Sequence, residues 1–460
     1  MHINECFVKD LHVLSTQLLL DCETPISLYQ KIRHLSDHSF LLESVEEGNS
    51  IGRYSIIGWG ELKSFVAYPG QTNTFAKLKE FLADYKLPLE GSFNGCFGYL
   101  GYESVYDIEP TVSNNPLYGD LPIAYFFLPK RIVVFDKLSH QVKFIFNIIK
   151  GERSPAIESE ISAIVNTKIE ENLLSNNQDG LILKDWKSNV TKEQFESIVK
   201  KSKEYIASGD VFQVVMSQRF STEYKEDPLL IYRYLCSLNP SPYMFYFNFA
   251  NKFNLLGTSP EIMLKKTDRA LTIRPIAGTR WRGKTAVEDA AIAAHLLADE
   301  KENAEHLMLV DLARNDLNRI CKSDTVKVEA YKNIEKYSHV MHIVSSVTGQ
   351  IQENKDTIEA IKASFPAGTL SGAPKVRAMQ IIRELENFPR QTYGGMVGYF
   401  DFAGNFDSCI TIRSVLVKDK VAFFQAGAGI VADSDPSAEY EESVNKAKAM
   451  LKAITLASGG

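Results

Sequence analysis

Strand-like and helix-like segments do not alternate along this chain, and that feature excludes the doubly wound and barrel folds built from repeated strand–helix–strand units. Residues 1 to about 150 are β-rich. Short apolar runs at Phe126–Leu128, Ile132–Phe135 and Val142–Ile149 are separated by turns rich in Gly, Pro and Asn. A helix then opens at Thr191 with a T-x-x-Q capping box to Gln194. Phe195, Ile198, Val199 and Ile206 form its apolar stripe, and Gly209 ends it. Val211 to Phe220 reads as a strand. A period of two puts Phe212, Val214 and Met216 on one face and Gln213, Val215, Ser217 and Arg219 on the other. Helical blocks follow from about Asp289 to Arg314 and around Lys375 to Leu385, then glycine-punctuated strands from Gly394 to Gln425. A last helix is opened by Asp435-Pro436. The expectation is an α+β protein of large, mostly antiparallel β-sheets with flanking helices. Ser175 to Gly180 is the most linker-like run, so the chain is expected to divide into 1–180 and 181–460.

The 51 Lys+Arg against 57 Asp+Glu give a net charge of −6 with no basic run, which argues against nucleic acid or an anionic membrane as partner. No apolar run reaches the roughly 18 residues of a membrane helix. The longest candidate, Leu121 to Phe135, is broken by Lys130 and Arg131. Cys6, Cys22, Cys96, Cys236, Cys321 and Cys409 are scattered, without zinc-site spacing, and fit free thiols in a reducing compartment. A cytoplasmic protein acting on a small molecule is expected.

Three constellations are suited to chemistry. Glu302 and Glu305, and again Glu439 and Glu442, are three residues apart on helices, so each pair shares a face, and Lys446 extends the second stripe. Facing each other, these carboxylates would offer hard oxygen ligands to Mg²⁺. Taken alone, either pair fits solvated helix surface better. Pro366 to Pro374, with Thr369 and Gly372 inside it, is a glycine-rich turn ahead of a helix, suited equally to an anion or to a plain tight turn. Gly427, Gly429 and Ala432 formally match G-x-G-x-x-A. The following helix starts only near Pro436, so the dinucleotide reading is rejected. The third set is Glu261, His342, Tyr393 and Arg413. Arg413 follows the apolar Ile410-Thr411-Ile412 and needs a partner, either a bound carboxylate or, as the sequence text favours, an internal one. Glu261 after Thr258-Ser259-Pro260 is a turn residue or a general acid, and nothing local decides.

Together these segments resemble the chorismate-utilising enzymes and, within that family, its large-subunit (component I) anthranilate synthase branch. The resemblance runs through Leu41 to Ser44, Gly209 to Phe220, Asn239 to Met244 and Gly257 to Glu261. It continues through Arg274 to Arg280, Asp299 to Asp316, Ser338 to His342, Pro366 to Pro374, Arg413, and Ala426 to Lys446. It implies a two-subdomain sandwich that converts chorismate and ammonia to anthranilate and pyruvate, the first step of tryptophan biosynthesis. By the same resemblance Glu305 and Glu442 are direct Mg²⁺ ligands, with Glu302 and Glu439 assisting. Thr369, Gly372, Tyr393, Arg413, Gly427, Gly429 and Lys446 contact the substrate. Glu261 would protonate the departing C4 hydroxyl, and His342 would assist loss of the C2 proton. Thr279, in the Arg274 to Arg280 motif, joins the catalytic set.

Two positions discriminate within the family. Relatives that add water use a lysine where Gln213 stands, and an amide cannot take a proton, so the nucleophile should arrive ready-made as ammonia does. Aminodeoxychorismate synthases, the nearest alternative, carry a lysine where Ala277 stands, so no amine nucleophile exists there. Leu42, Glu43 and Ser44, with Asn239, Pro240, Ser241, Tyr243 and Met244, resemble the site at which L-tryptophan binds and inhibits. The absence of a Gly-x-Cys-x-Gly elbow implies a separate glutamine amidotransferase subunit as the ammonia source. Ala313 and Asn318 stand where glycine is common in the family, and Trp281 where a smaller residue or proline is, which predicts altered local packing. Rival readings are a nicotinamide-dependent oxidoreductase and a non-catalytic amino-acid sensor. The second leaves the four carboxylates, Arg413 and Lys446 without a role.

Overall fold

A computed structural model describes residues 3–44, 52–85, 93–112, 116–169, 174, 182–337 and 340–459. The linker-like run Ser175 to Gly180 and the motif residues Ser338 and His339 lie outside the described residues. Two antiparallel sheets grow from one pair of long strands, Tyr54–Ala67 and Ala124–Asp136. The pairing of these two strands shifts register between Glu61 and Lys63, beside Pro129, so each strand bends and serves both sheets. In the first sheet Ala124–Asp136 continues outward through Gln141–Ile149, Leu11–Leu19 and Asn4–Val8. On the other side Tyr54–Ala67 leads through Ser39–Glu43, Tyr243–Phe249, Phe253–Ser259, Ser414–Lys418 and Val421–Ile430 to Gln213–Glu223. In the second sheet Ala124–Asp136 leads through Gly95–Leu100, Met396–Asp401, Phe406–Ile410, Ile262–Thr267 and Ala270–Ile273 to Val340–Gln350. That last strand also pairs with Ile276–Trp281 and Lys327–Lys336.

The expected α+β class therefore holds, and strands from either side of residue 180 share both sheets: Ser39–Glu43 pairs with Tyr243–Phe249, and Gly95–Leu100 with Met396–Asp401. Between the sheets lies an aromatic core. Phe40 from the first sheet stacks on Phe97 from the second at 4.2 Å and on Phe247 at 5.4 Å. Such offset stacking adds to the area term, and each buried phenylalanine contributes about 1.5–3 kcal/mol. The outer face of the first sheet is covered by Pro25–Ile32, Ile157–Val165, Pro228–Leu238 and Pro436–Ala457, through Leu28, Ile161, Leu235 and Ile454.

The helix predicted from Thr191 spans Lys192–Ala207, with the reciprocal capping box to Gln194 in place and Phe195 and Val199 buried. Two local expectations change. The strand begins at Gln213 rather than Val211, which leaves Phe212 outside it and 74% exposed, while Gln213, Val215 and Ser217 are as buried as Val214 and Met216. Lys192–Ala207 and Lys375–Leu385 both pack on the Val214 and Met216 face, while on the other face Gln213 meets Glu305 and Ser217 meets Glu386. The helical block expected from Asp289 splits into Ala286–Ala298 and Glu300–Asn318 at Asp299, whose carboxylate caps the second helix by accepting from Glu302 N. Among the described residues no helix is long and apolar enough to cross a membrane.

Candidate active site

The proposed site residues converge where the two sheets and the helices Glu300–Asn318 and Pro436–Ala457 come together. Gln213 opens the edge strand of the first sheet and lies 4% exposed. Its amide passes over Gly429 of the neighbouring strand, where a Cβ would stand 2.5 Å from Gln213 Nε2. Any larger residue there would push the Gln213 amide aside. Gln213 Nε2 then donates a long, 3.4 Å hydrogen bond to Glu305 Oε1. Gly372, at a φ of 139°, pairs with Val214 so closely that a Cβ would meet Gln213 O at 2.1 Å. This brings the turn carrying Thr369 against the edge strand. On the far side Lys446 Nζ donates to Gly427 O at 3.1 Å and pairs with Glu442 at 2.7 Å.

Glu261 and Arg413 hold the centre. Glu261 is 8% exposed, and burial lifts its pKa from 4.5 to about 8, with Thr369 and Arg413 only partly opposing. The carboxyl is therefore protonated at neutral pH. Arg413 was expected within an apolar strand with an internal ion-pair partner. It lies instead between the strands Phe406–Ile410 and Ser414–Lys418, at a φ of 48° that a non-glycine residue rarely adopts. No ion pair holds it among the described residues. Burial lowers its pKa, with Glu261 the largest opposing influence. Thr369 Oγ1 is likewise buried, with Glu261 the acid it acts on.

His342 pairs across the second sheet with Thr279, at a register shift made by Gly278, whose φ is +66°. Its Nδ1 donates to Gly278 O at 2.9 Å and lies 3.1 Å from Thr279 Oγ1, so the proton sits on Nδ1 and Nε2 keeps its lone pair. Burial, and then Arg413, push its pKa down to about 4, leaving the imidazole neutral.

The four glutamates are neighbours, and three of them point to separate partners. Glu302 pairs with Arg280 at 3.0 Å, Glu442 with Lys446, and Glu305 accepts from Gln213. Among the described residues no three acidic, histidine or cysteine groups meet as a metal-ligand set. The charges nevertheless crowd: burial first, then Glu302, raise the Glu305 pKa, with Glu442 adding to it, and burial and Glu442 raise that of Glu439. Tyr393 is buried and joins the group through Gly394, whose N–H donates to Thr411 O at 3.0 Å.

Sequence reading missed the support beneath this site. Arg390, fully buried, grips Glu386 with two hydrogen bonds of 2.8 and 2.7 Å and donates to Leu370 O at 2.6 Å and Val215 O at 2.8 Å. It thereby ties the Thr369 turn to the Gln213 strand. Glu386 in turn accepts from Ser217 N and Oγ, both at 2.8 Å, and Glu103, from the N-terminal part, accepts from Arg390 N at 2.6 Å. The only hint in the sequence is a Glu386/Arg390 spacing of four, which here falls past the end of the helix Lys375–Leu385.

The segments read as a regulatory site also meet. Met244 pairs with Glu43 and Phe245 with Leu42 in adjacent strands. Tyr232 Oη donates to Glu43 at 2.8 Å, and burial raises the Glu43 pKa. Lys137 holds Ser44 O at 2.7 Å, while the Ser44 hydroxyl is buried without a partner. Asn239 donates to Thr258 Oγ1 at 3.0 Å, within the Thr258-Ser259 lead-in to Glu261. Pro240 and Ser241 complete the turn into Tyr243, whose hydroxyl donates to Asp407 at 2.7 Å.

The model of the chorismate binding enzyme family matches residues 37–452. The chain belongs to that family. Anthranilate synthase component 1 of Aquifex aeolicus is 46% identical over 96% of this chain and 94% of its own length. The protein of the same name from Acetivibrio thermocellus is 42% identical over 97% and 96%. The crystal structure of anthranilate synthase component I from Streptococcus pneumoniae superposes with a TM-score of 0.78 at 32% identity, covering 94% of this chain and 98% of that one. The isochorismate synthase MenF of Escherichia coli superposes at 0.77 with 19% identity, covering 99% and 96%, and shares the family's fold.

Proposed function

We propose that this chain is the large subunit of an anthranilate synthase, forming anthranilate and pyruvate from chorismate and ammonia. The observation that carries the reading is a carboxylic acid, Glu261, kept protonated at neutral pH beside a guanidinium, Arg413, that no carboxylate among the described residues neutralises. Chorismate is a dianion with a hydroxyl to lose, and this pair offers one charge for a carboxylate and one proton for the leaving oxygen. In this reading Thr369, Tyr393 and Lys446 would contact the substrate, with Gly372, Gly427 and Gly429 giving the backbone room to approach. Gln213 is an amide in the strand that faces Glu305 and removes no proton from water, so the reading favours ammonia over water as nucleophile. Ala277, 7% exposed, presents a methyl group and no amine. His342 Nε2, neutral with a free lone pair, would take the C2 proton, and Thr279 and Gly278 hold the ring in that tautomer.

Glu305 and Glu442, with Glu302 and Glu439, would hold Mg²⁺. Mutual repulsion among their carboxyls suits a hard divalent ion, whose charge would neutralise them and draw in a substrate carboxylate. Ammonia would come from glutamine through a separate amidotransferase component. The six cysteines are free thiols, in keeping with a cytoplasmic setting. L-Tryptophan would bind between Leu42–Ser44 and Asn239–Met244. Its route to the active site is short: the strand Tyr243–Phe249 pairs with Phe253–Ser259, and Thr258 N donates to Arg413 O at 3.1 Å.

The test supplies chorismate, Mg²⁺ and isotopically labelled ammonium to the purified chain and identifies products by mass. Labelled anthranilate with one equivalent of pyruvate is expected, suppressed by tryptophan. A labelled amino intermediate that accumulates without pyruvate, or a hydroxylated product without label, would contradict the reading.

A further inference from the structure

Beneath Glu261 lies a small cavity between the helix Glu300–Asn318 and the turn Ala367–Thr369, with about 30 Å³ open to water centres. That is room for two or three waters at most, since each needs about 10–15 Å³ by this measure. Its walls are mostly apolar, among them Ile262, Leu309 and Ala313, and besides Ser364, whose hydroxyl donates to Ala360 O, three polar side chains line it. Glu261 is the first, and the buried Thr369 hydroxyl beside it is the second. The third is Asp316, 7% exposed, which accepts from Lys375 Nζ at 2.7 Å. Lys375 also donates to Ser364 O at 2.8 Å and keeps 11% of its side chain exposed, at the outer end of the pair. Arg413 faces Glu261, and Arg319 is the other cation near Asp316.

We propose that Asp316, through water held in this cavity, returns to Glu261 the proton that Glu261 gives up in each turnover. The proposal rests on Glu261 being the acid of the proposed reaction. In that reaction the C2–N bond forms and the C4–O bond breaks. The Glu261 proton leaves on the C4 oxygen as water, and the added nitrogen sheds one proton to solvent. Glu261 is then a carboxylate only 8% exposed, with product on its substrate side, so the cavity offers the proton a second way in. Cavity water donates to Glu261 as it accepts from the Asp316–Lys375 pair, and Lys375 recovers a proton from solvent. One proton leaves, one returns, and no electrons are transferred. Burial raises the Asp316 pKa, which makes its carboxylate a better carrier than an exposed one. Asp316 acts through Glu261 and touches no substrate.

The test compares the first turnover, with enzyme in excess over chorismate, against steady-state kcat in Asp316→Asn and Ala313→Val. Ala313 is 4% exposed on the cavity wall, and two added methyl groups fill the cavity while both carboxyls and the Lys375 pair stay. Both variants should keep a first-turnover rate within about twofold of wild type and lose at least about tenfold in kcat, because only resetting is slowed. A first turnover that falls in step with kcat, or a kcat unchanged in both, overturns the proposal. If Asp316→Asn does not fold, Ala313→Val decides by the same readout. A wild-type chain that makes no anthranilate removes the functional reading and the relay with it, whereas a working wild type with unaffected variants removes the relay alone.

Discussion

Arg390 and Arg413 lie in neighbouring parts of the same core, and the protein treats them in opposite ways. Arg390 has a bidentate carboxylate in Glu386, two backbone carbonyls, and the rings of Tyr102 and Tyr393 at 4.8 and 5.8 Å. Burial alone would depress its pKa, but Glu386 more than offsets it and the value is raised. Arg413 has no such set, sits in a left-handed backbone conformation, and has its pKa lowered. Its nearby acid, Glu261, is held protonated rather than ionised. This fold can satisfy a buried guanidinium completely where the role is structural. Where it withholds a carboxylate, it leaves charge for a ligand.

The contrast breaks most visibly at the acids. Glu261→Gln should lower kcat by about 10²–10⁴-fold, the range a positioned general acid supplies. Wild-type activity should fall as pH rises through about 8, where Glu261 ionises. The stability sign follows from the raised value. The folded state binds this proton more tightly than the unfolded chain, so the stabilisation is full below 4.5 and is lost as pH climbs to about 8. Thermal melts should therefore show Glu261→Gln matching wild type at low pH and exceeding it above about 8. Next in size is Arg390→Met, which strands Glu386 in the core and should cost about 3–5 kcal/mol in denaturant unfolding. Arg413→Met should leave the melting temperature unchanged or higher while removing about 2–5 kcal/mol of chorismate affinity, measured by calorimetry. If the two arginine variants exchanged these phenotypes, the contrast would be lost. The smallest effect is expected at the regulatory segment. Ser44→Ala should weaken tryptophan inhibition by about 0.5–1.5 kcal/mol, read as a shift in inhibitory concentration with uninhibited kcat intact.

The same contrast explains how much could be read from the sequence. Local grammar was enough for the capping box at Thr191, the strand–turn–strand punctuation after Gly394 and the rejection of the dinucleotide fingerprint, since Gly427 and Gly429 lie inside the antiparallel strand Val421–Ile430. Motif order was enough to collect Glu261, Arg413, His342, Gln213 and the glutamates as candidates. Long-range effects were not legible. Phe212 is exposed because the sheet edge starts one residue later, and the helical block breaks at Asp299 because that side chain caps a new helix. The Arg390 network draws on residues 103, 215, 217, 370 and 386, so no window of sequence contains it. The unpaired state of Arg413 was also hidden, because a charge beside an apolar strand reads the same whether its partner is a side chain or a substrate.

The most direct measurement follows anthranilate fluorescence from chorismate, ammonium and Mg²⁺ with wild type and Arg413→Met side by side, after both have been shown to be folded. The account predicts a Mg²⁺-dependent rise for wild type and almost none for the variant at chorismate concentrations that saturate wild type. Equal rates from the two proteins, or chorismate consumed by wild type without anthranilate, would contradict it.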